Sequence, residues 1–297
     1  LRAIDAYNGR DPLVQWLREF GITTLHTGHA PGMLMSGQTM VVKTNVPSVV
    51  RENDTLRPFA GVSVTLGPDG LGPDKKPPGT RGKSIAMLRT ELIKAREFEV
   101  KAAGAADKKP DRDLHLESLG GILRREAPLI ITADRHQDIT AALRLQSEFG
   151  FKLILDSAAE AYLLLEEIKS AGVPVLVPPA MARSSGEREY LTFTLPAKLL
   201  AAGIPFALQS GYETYVPKTR VVLFEAGMAA AHGLTPQQAL AAVTIRPAEI
   251  LGLQQRLGSI ETGKDADLAL YDGDPLETVT HCTGVIIDGK IVSTVSR

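Results

Sequence analysis

Residues able to do acid–base or coordination chemistry fall in four short groups. Leu25-His26-Thr27-Gly28-His29 sets two imidazoles three residues apart at the end of a strand candidate. Such a pair could coordinate a metal or bind a polar substrate; the alternative is two histidines that only line a mouth or a surface. Asp134-Arg135-His136 follows the run Ile130-Ile131-Thr132-Ala133. Asp134 could accept a proton, and Arg135 and His136 could bind substrate, Arg135 through a two-pronged contact with a carboxylate. Capping and a first-turn ion pair for the next helix compete with that account. Asp156 and Glu160 follow the run Lys152–Leu155, as acid–base groups or as helix caps. Glu213 follows Ile204–Gln209 and is either a displaced base or part of a solvated loop. Asp134, Asp156 and Glu213 are therefore the candidate catalytic residues. His26, His29, Arg135 and His136 are the candidate ligand-binding ones.

Other chemistries lack their motifs. The chain has no G-x-S-x-G elbow, no P-loop and no G-x-G-x-x-G fingerprint, which removes serine-hydrolase, NTPase and dinucleotide-binding readings. A single cysteine, Cys282, excludes an intrachain disulfide framework and any Cys-rich metal site. Thirty-three basic residues balance 34 acidic ones for a net charge of -1, so there is no basic signature of nucleic-acid or membrane-surface binding. No apolar run approaches the ~20 residues of a bilayer span. Compartment stays open between cytoplasm and periplasm.

The elements that must position these groups alternate. Short β-branched runs at Gly21–Thr27, Gln38–Thr44 and Ala60–Gly67 are followed by a long helix over Ser84–Ala103. A tight rhythm then sets in: helix 114–125, strand 128–133, helix 137–149, strand 152–156, helix 159–171, strand 173–177, helix 196–202, strand 204–209. Gly150, Gly172 and Gly203 sit where helix C-caps need a left-handed residue. Continuous apolar strands between amphipathic helices predict a buried parallel sheet. Seven of them predict an α/β, TIM-like (β/α)8 barrel with one strand unaccounted for. A doubly wound open sheet is the alternative. Residues 1–252 form this incomplete barrel domain, and 253–297 a C-terminal β appendage with strands at Gly258–Glu261, Leu268–Tyr271, Thr283–Asp288 and Ile291–Val295.

That tail carries a family resemblance. Ala239–Leu251 (ALAAVTIRPAEIL), Gly258–Leu268 (GSIETGKDADL), Asp272–Pro275 (DGDP) and Val285–Val292 (VIIDGKIV) resemble the C-terminal end of amidohydrolase-superfamily enzymes, nearest to the imidazolonepropionase-like group. Residues 1–44 and 139–178 resemble that group too, with GITTLHTGHAPG, Glu160-Ala161-Tyr162 and Val173-Pro174-Val175 as the clearest runs. The resemblance implies a TIM-like barrel, a partial β-sandwich and hydrolysis of C–N bonds in amides, cyclic amides or dipeptides. It also implies Zn or another divalent metal at the C-terminal strand ends, lowering the pKa of a bound water.

The ligand positions that the resemblance implies are degenerate here. No His-x-His occurs, and the expectation is that the chain begins just after the first barrel strand, which would carry it. Thr132 stands where the fifth strand should end in His, Ser157 where the sixth should, and Gly211 where the eighth should carry Asp. A register slip of one residue would bring Asp134 or Asp156 to those places. Hydroxyls are poor first ligands for catalytic Zn²⁺, so no metal is expected on this chain. The expected activity is either that of a metal-free or inactive hydrolase, or that of a non-catalytic binding or regulatory subunit beside an active paralogue. A small-molecule ligand is the expected partner, with a homo-oligomer mate or another chain filling the place of the absent strand.

Overall fold

The computed structural model describes residues 1–71, 77–104, 110–180, 184–212 and 218–297. Seven strands form one sheet in chain order: β1 (Thr24–Gly28), β2 (Met35–Lys43), β3 (Thr55–Thr65), β4 (Leu129–Thr132), β5 (Leu153–Asp156), β6 (Val175–Val177) and β7 (Phe206–Leu208). From β3 to β7 every pairing is parallel. This is the parallel sheet read from the sequence, built as part of a TIM-like barrel with β1 and β7 as its two edges. The run at Gln38–Thr44 departs from expectation. It belongs to β2, which is antiparallel to both neighbours. The connection from β1 spans only residues 29–34, and a parallel crossover needs a dozen residues or more. A short link can only turn the chain back.

The helices cover one face of this sheet. α2 (Arg81–Ala102), α3 (Leu114–Leu123), α4 (His136–Phe149), α5 (Leu165–Ala171), α6 (Leu195–Ala202) and α7 (Val222–Ala231) follow their strands. Their apolar stripes meet Leu129, Ile131, Leu153, Leu155, Val175 and Val177 in the main core. Burying each such side chain contributes about 1.5–3 kcal/mol. Gly150 closes α4 at φ 74°, a left-handed cap that a side chain would strain. The helix expected over Ala159–Ala171 starts later, at Leu165. The chain before it is diverted by positive φ at Ser157 and Ala158, and the Ala159 and Glu160 N–H groups donate to Asp134 instead.

The C-terminal part begins with α8 (Pro236–Ala241), capped by a reciprocal Thr235–Gln238 box, and α9 (Ile245–Ile250). A three-stranded antiparallel sheet follows: β8 (Leu268–Tyr271), β9 (Cys282–Ile287) and β10 (Lys290–Ser293). The strand expected at Gly258–Glu261 is not there. Gly258, at φ 93°, presses against the Ile245 backbone, and Lys264 turns back to Glu261 at 3.2 Å, so this stretch folds as a turn. The small sheet is fastened to the large one by α1 (Pro12–Glu19), whose Glu19 pairs with Arg297, and by Lys43 at the end of β2. Lys43 Nζ lies 2.7 Å from Asp265, 3.0 Å from Asp267 and 2.5 Å from Asp288. Among the described residues no helix is long and apolar enough to cross a membrane.

Candidate functional site

Side chains alternate across a strand, so the residues between the core-facing ones point to the opposite face. At the C-terminal ends of β4 and β5 these are Thr132 and Asp156, which are also direct partners in the strand register. Thr132 Oγ1 donates to Asp156 Oδ2 at 2.5 Å. Gln209, one residue past β7, reaches back and donates through Nε2 to Asp156 Oδ1 at 2.7 Å and to the Leu176 carbonyl at 3.1 Å. Asp156 is 1% exposed. Burial raises its pKa above the ordinary carboxylate value; the bonds from Thr132 and Gln209 pull it down, and the charge of Asp134 adds to the rise. The charge of Asp156 in turn raises the Tyr212 hydroxyl.

Asp134 stands beside this cluster, two residues beyond β4. Ser157 Oγ donates to Asp134 Oδ1 at 2.5 Å, and the Arg188 guanidinium lies 3.8 Å from Oδ2. Burial raises this carboxyl as well, against the opposing effects of Ser157 and Arg188. Two neighbouring carboxyls, both pushed toward holding a proton and both at the strand mouth, form an arrangement able to take up or deliver a proton. Gly211, at φ 75°, is crowded: a Cβ there would stand 2.9 Å from Pro179.

Arg135 and His136 are committed elsewhere. Arg135 pairs with Glu160 at 2.9 Å and Glu189 at 3.2 Å, donates to the Gly186 carbonyl at 2.7 Å and lies over the Tyr190 ring. The His136 backbone N–H and ring Nδ1 both meet Glu160 Oε2, at 2.8 and 2.9 Å. Burial would raise Glu160, but these hydrogen bonds more than offset it and hold the carboxyl below its ordinary value. His26 lies on β1, with Nε2 2.8 Å from Thr39 Oγ1; burial lowers its pKa to about 4, so it is neutral at physiological pH. His29 packs beside Gly37, and its buried Nε2 has no hydrogen-bond partner among the described residues. Among the described residues no hydrogen bond joins either histidine to Asp134 or Asp156. Glu213 lies outside the described residues.

The structure thus brings together Thr132, Asp134, Asp156 and Ser157. It adds two groups that the sequence reading left out, Gln209 and Arg188. Gln209 could have been found by counting two residues on from Ala207, whose neighbour Phe206 faces the core; nothing local marks Arg188. Among the described residues, the donor set at this mouth does not fit a resident divalent cation. Thr132 and Ser157 hydroxyls are engaged with Asp156 and Asp134, Gly211 offers no side chain, and among the described residues no three His, Cys, Asp or Glu groups converge to hold an ion.

A partial (β/α)8 barrel with its polar groups at the C-terminal strand ends defines the class of fold. A family profile described as the amidohydrolase family matches residues 197–293. The crystal structure of an amidohydrolase from Thermotoga maritima superposes with a TM-score of 0.92 at 30% identity, covering 99% of this chain and 78% of that one. The chain belongs to the amidohydrolase superfamily. An imidazolonepropionase from Shouchella clausii is 32% identical over 43% of this chain and 29% of its own length. Amidohydrolase TasK from Hapsidospora irregularis is 26% identical over 97% of this chain and 32% of its own length. The chain therefore spans about a third of the length of these curated relatives.

Proposed function

We propose that this chain is a barrel of C–N hydrolase descent whose mouth binds a small amide, cyclic amide or dipeptide-like molecule without a resident metal. The observation that carries the reading is the state of Asp156. It is buried, its two oxygens are taken by Thr132 and Gln209, and it is biased toward holding its proton. A carboxyl so engaged is better suited to hydrogen-bonding an amide than to gripping a cation. Where hydrolysis occurs on this chain, Asp134 and Asp156 would move the proton. The test is metal content after loading with Zn²⁺ or Mn²⁺ and dialysis, with a panel of N-acyl amino acids, cyclic amides and dipeptides assayed with and without chelator. The expected result is metal far below one ion per chain and no chelator effect. One tightly held ion per chain, with turnover abolished by chelator, overturns the reading.

The two sheet edges at β1 and β7 support a second reading. An open edge offers unpaired backbone groups to another chain. The chain would then act as a non-catalytic partner of an active relative, or of a second copy. A single-chain mass in light scattering, unchanged on mixing with an active paralogue, argues against it.

A further inference from the structure

The segment after β6 does not stay near β6. Glu187 pairs with Arg81, at the start of α2 after β3, and its carboxylate lies 3.4 Å from where a Cβ on Gly67 would stand. Glu189 and the Gly186 carbonyl are held by Arg135, after β4. Arg188 approaches Asp134, also after β4. Residues 184–190 therefore cross the tips of β5 and β4 and reach that of β3, three strand spacings, or about 14 Å. They run over the ends that carry Asp134 and Asp156.

The fastening is mostly ionic, with the Arg135 bond to the Gly186 carbonyl and its contact with the Tyr190 ring beside the ion pairs. No residue from Ser184 to Tyr190 is buried. The strap's own charges stay wet, with side-chain exposures of 30% at Glu187, 41% at Arg188 and 58% at Glu189, against 36%, 12% and 18% for their partners Arg81, Asp134 and Arg135. The segment is drawn together locally by Ser184 Oγ donating to the Glu189 carbonyl at 2.7 Å. A segment held by exposed ion pairs and no apolar burial belongs to the low-stability end of a fold, and salt weakens it.

We infer that residues 184–190 are an ion-latched strap that gates the mouth, closed by Arg81–Glu187, Arg135–Glu189 and Arg188–Asp134. The strap regulates the same mouth as the proposed function, so the inference rests on that reading only for what passes through it. Its test reads access alone and needs no ligand. Ser157→Cys places a thiol at the mouth, under the strap, while the native Cys282, buried in the small sheet, reports unfolding. Modification by N-ethylmaleimide is timed for this variant and for the same variant carrying E187Q and E189Q. Loss of two exposed pairs is expected to raise the rate at position 157 about tenfold. About 1 M NaCl should do the same to the intact latch. Cys282 should react at its original rate throughout. An unchanged rate at position 157 overturns the gate, and so does a parallel rise at Cys282, which would mean general loosening. The expected result still stands if the mouth binds none of the proposed molecules.

Discussion

Two clusters of aspartates, one around the buried Lys43 and one around the buried Asp156, solve the same problem in opposite ways. Around Lys43, Asp265, Asp267 and Asp288 meet an ammonium that is itself 6% exposed, and Arg256 adds a second cation to Asp265 at 2.7 Å. Burial would raise Asp265, but Arg256 and Lys43 outweigh it and the carboxyl falls below its ordinary value. At the strand mouth, Asp156 meets the neutral donors of Thr132 and Gln209 and no cation among the described residues, burial prevails, and the carboxyl rises. A buried acid beside a cation is fixed as a charge and serves as a fastening. A buried acid among neutral donors keeps a proton within reach. The difference is what supports placing the proposed chemistry at the mouth and not at the more highly charged cluster.

Removing the cation should break the comparison most forcefully. Lys43→Met removes the cation shared by Asp265, Asp267 and Asp288, leaving Asp265 to Arg256 alone, and is expected to cost about 3–5 kcal/mol, read as a lowered urea midpoint. His26 sharpens the rule that burial without a countercharge disfavours charge of either sign. Its folded pKa of about 4 lies below the unfolded value of 6.5, so the unfolded chain binds the proton first. Its contribution is intact above pH 6.5 and is lost as pH falls toward 4, by on the order of 2–3 kcal/mol. His26→Gln should flatten unfolding stability across that window; an equal slope in the variant would place the effect elsewhere. The smallest effect is expected at the mouth. Thr132→Val deletes one donor to Asp156, costing about 1.5 kcal/mol and moving the carboxyl further up in a carbon-13 NMR titration. A downward shift would mean that Thr132 does not stabilise the charged form.

Much of this was legible in the chain. Continuous apolar runs between amphipathic helices announced the parallel stretch from β3 to β7, and glycines at 150, 172 and 203 announced where helices end. Thr132 and Ser157 were named from the sequence at the strand ends, and the structure sets them against Asp156 and Asp134. Direction was harder. The run in β2 has the composition of a barrel strand, and only the short 29–34 link betrays its reversal. Arg135 looked available to a substrate carboxylate because its sequence neighbours do not include Glu189 or Gly186, which come from the strap and hold it.

Periodicity and residue chemistry are local properties, so the sequence by itself determined the order of strands and helices and the faces they bury. Which charges meet is not local. Lys43 finds Asp288, Gln209 finds Asp156 and Arg188 finds Asp134 across long stretches of chain. A carboxyl's pKa depends on those meetings and on exclusion of water, and both arise only when the layers close. The tertiary structure alone therefore decided that Asp265 is a fastening and Asp156 a group able to carry a proton.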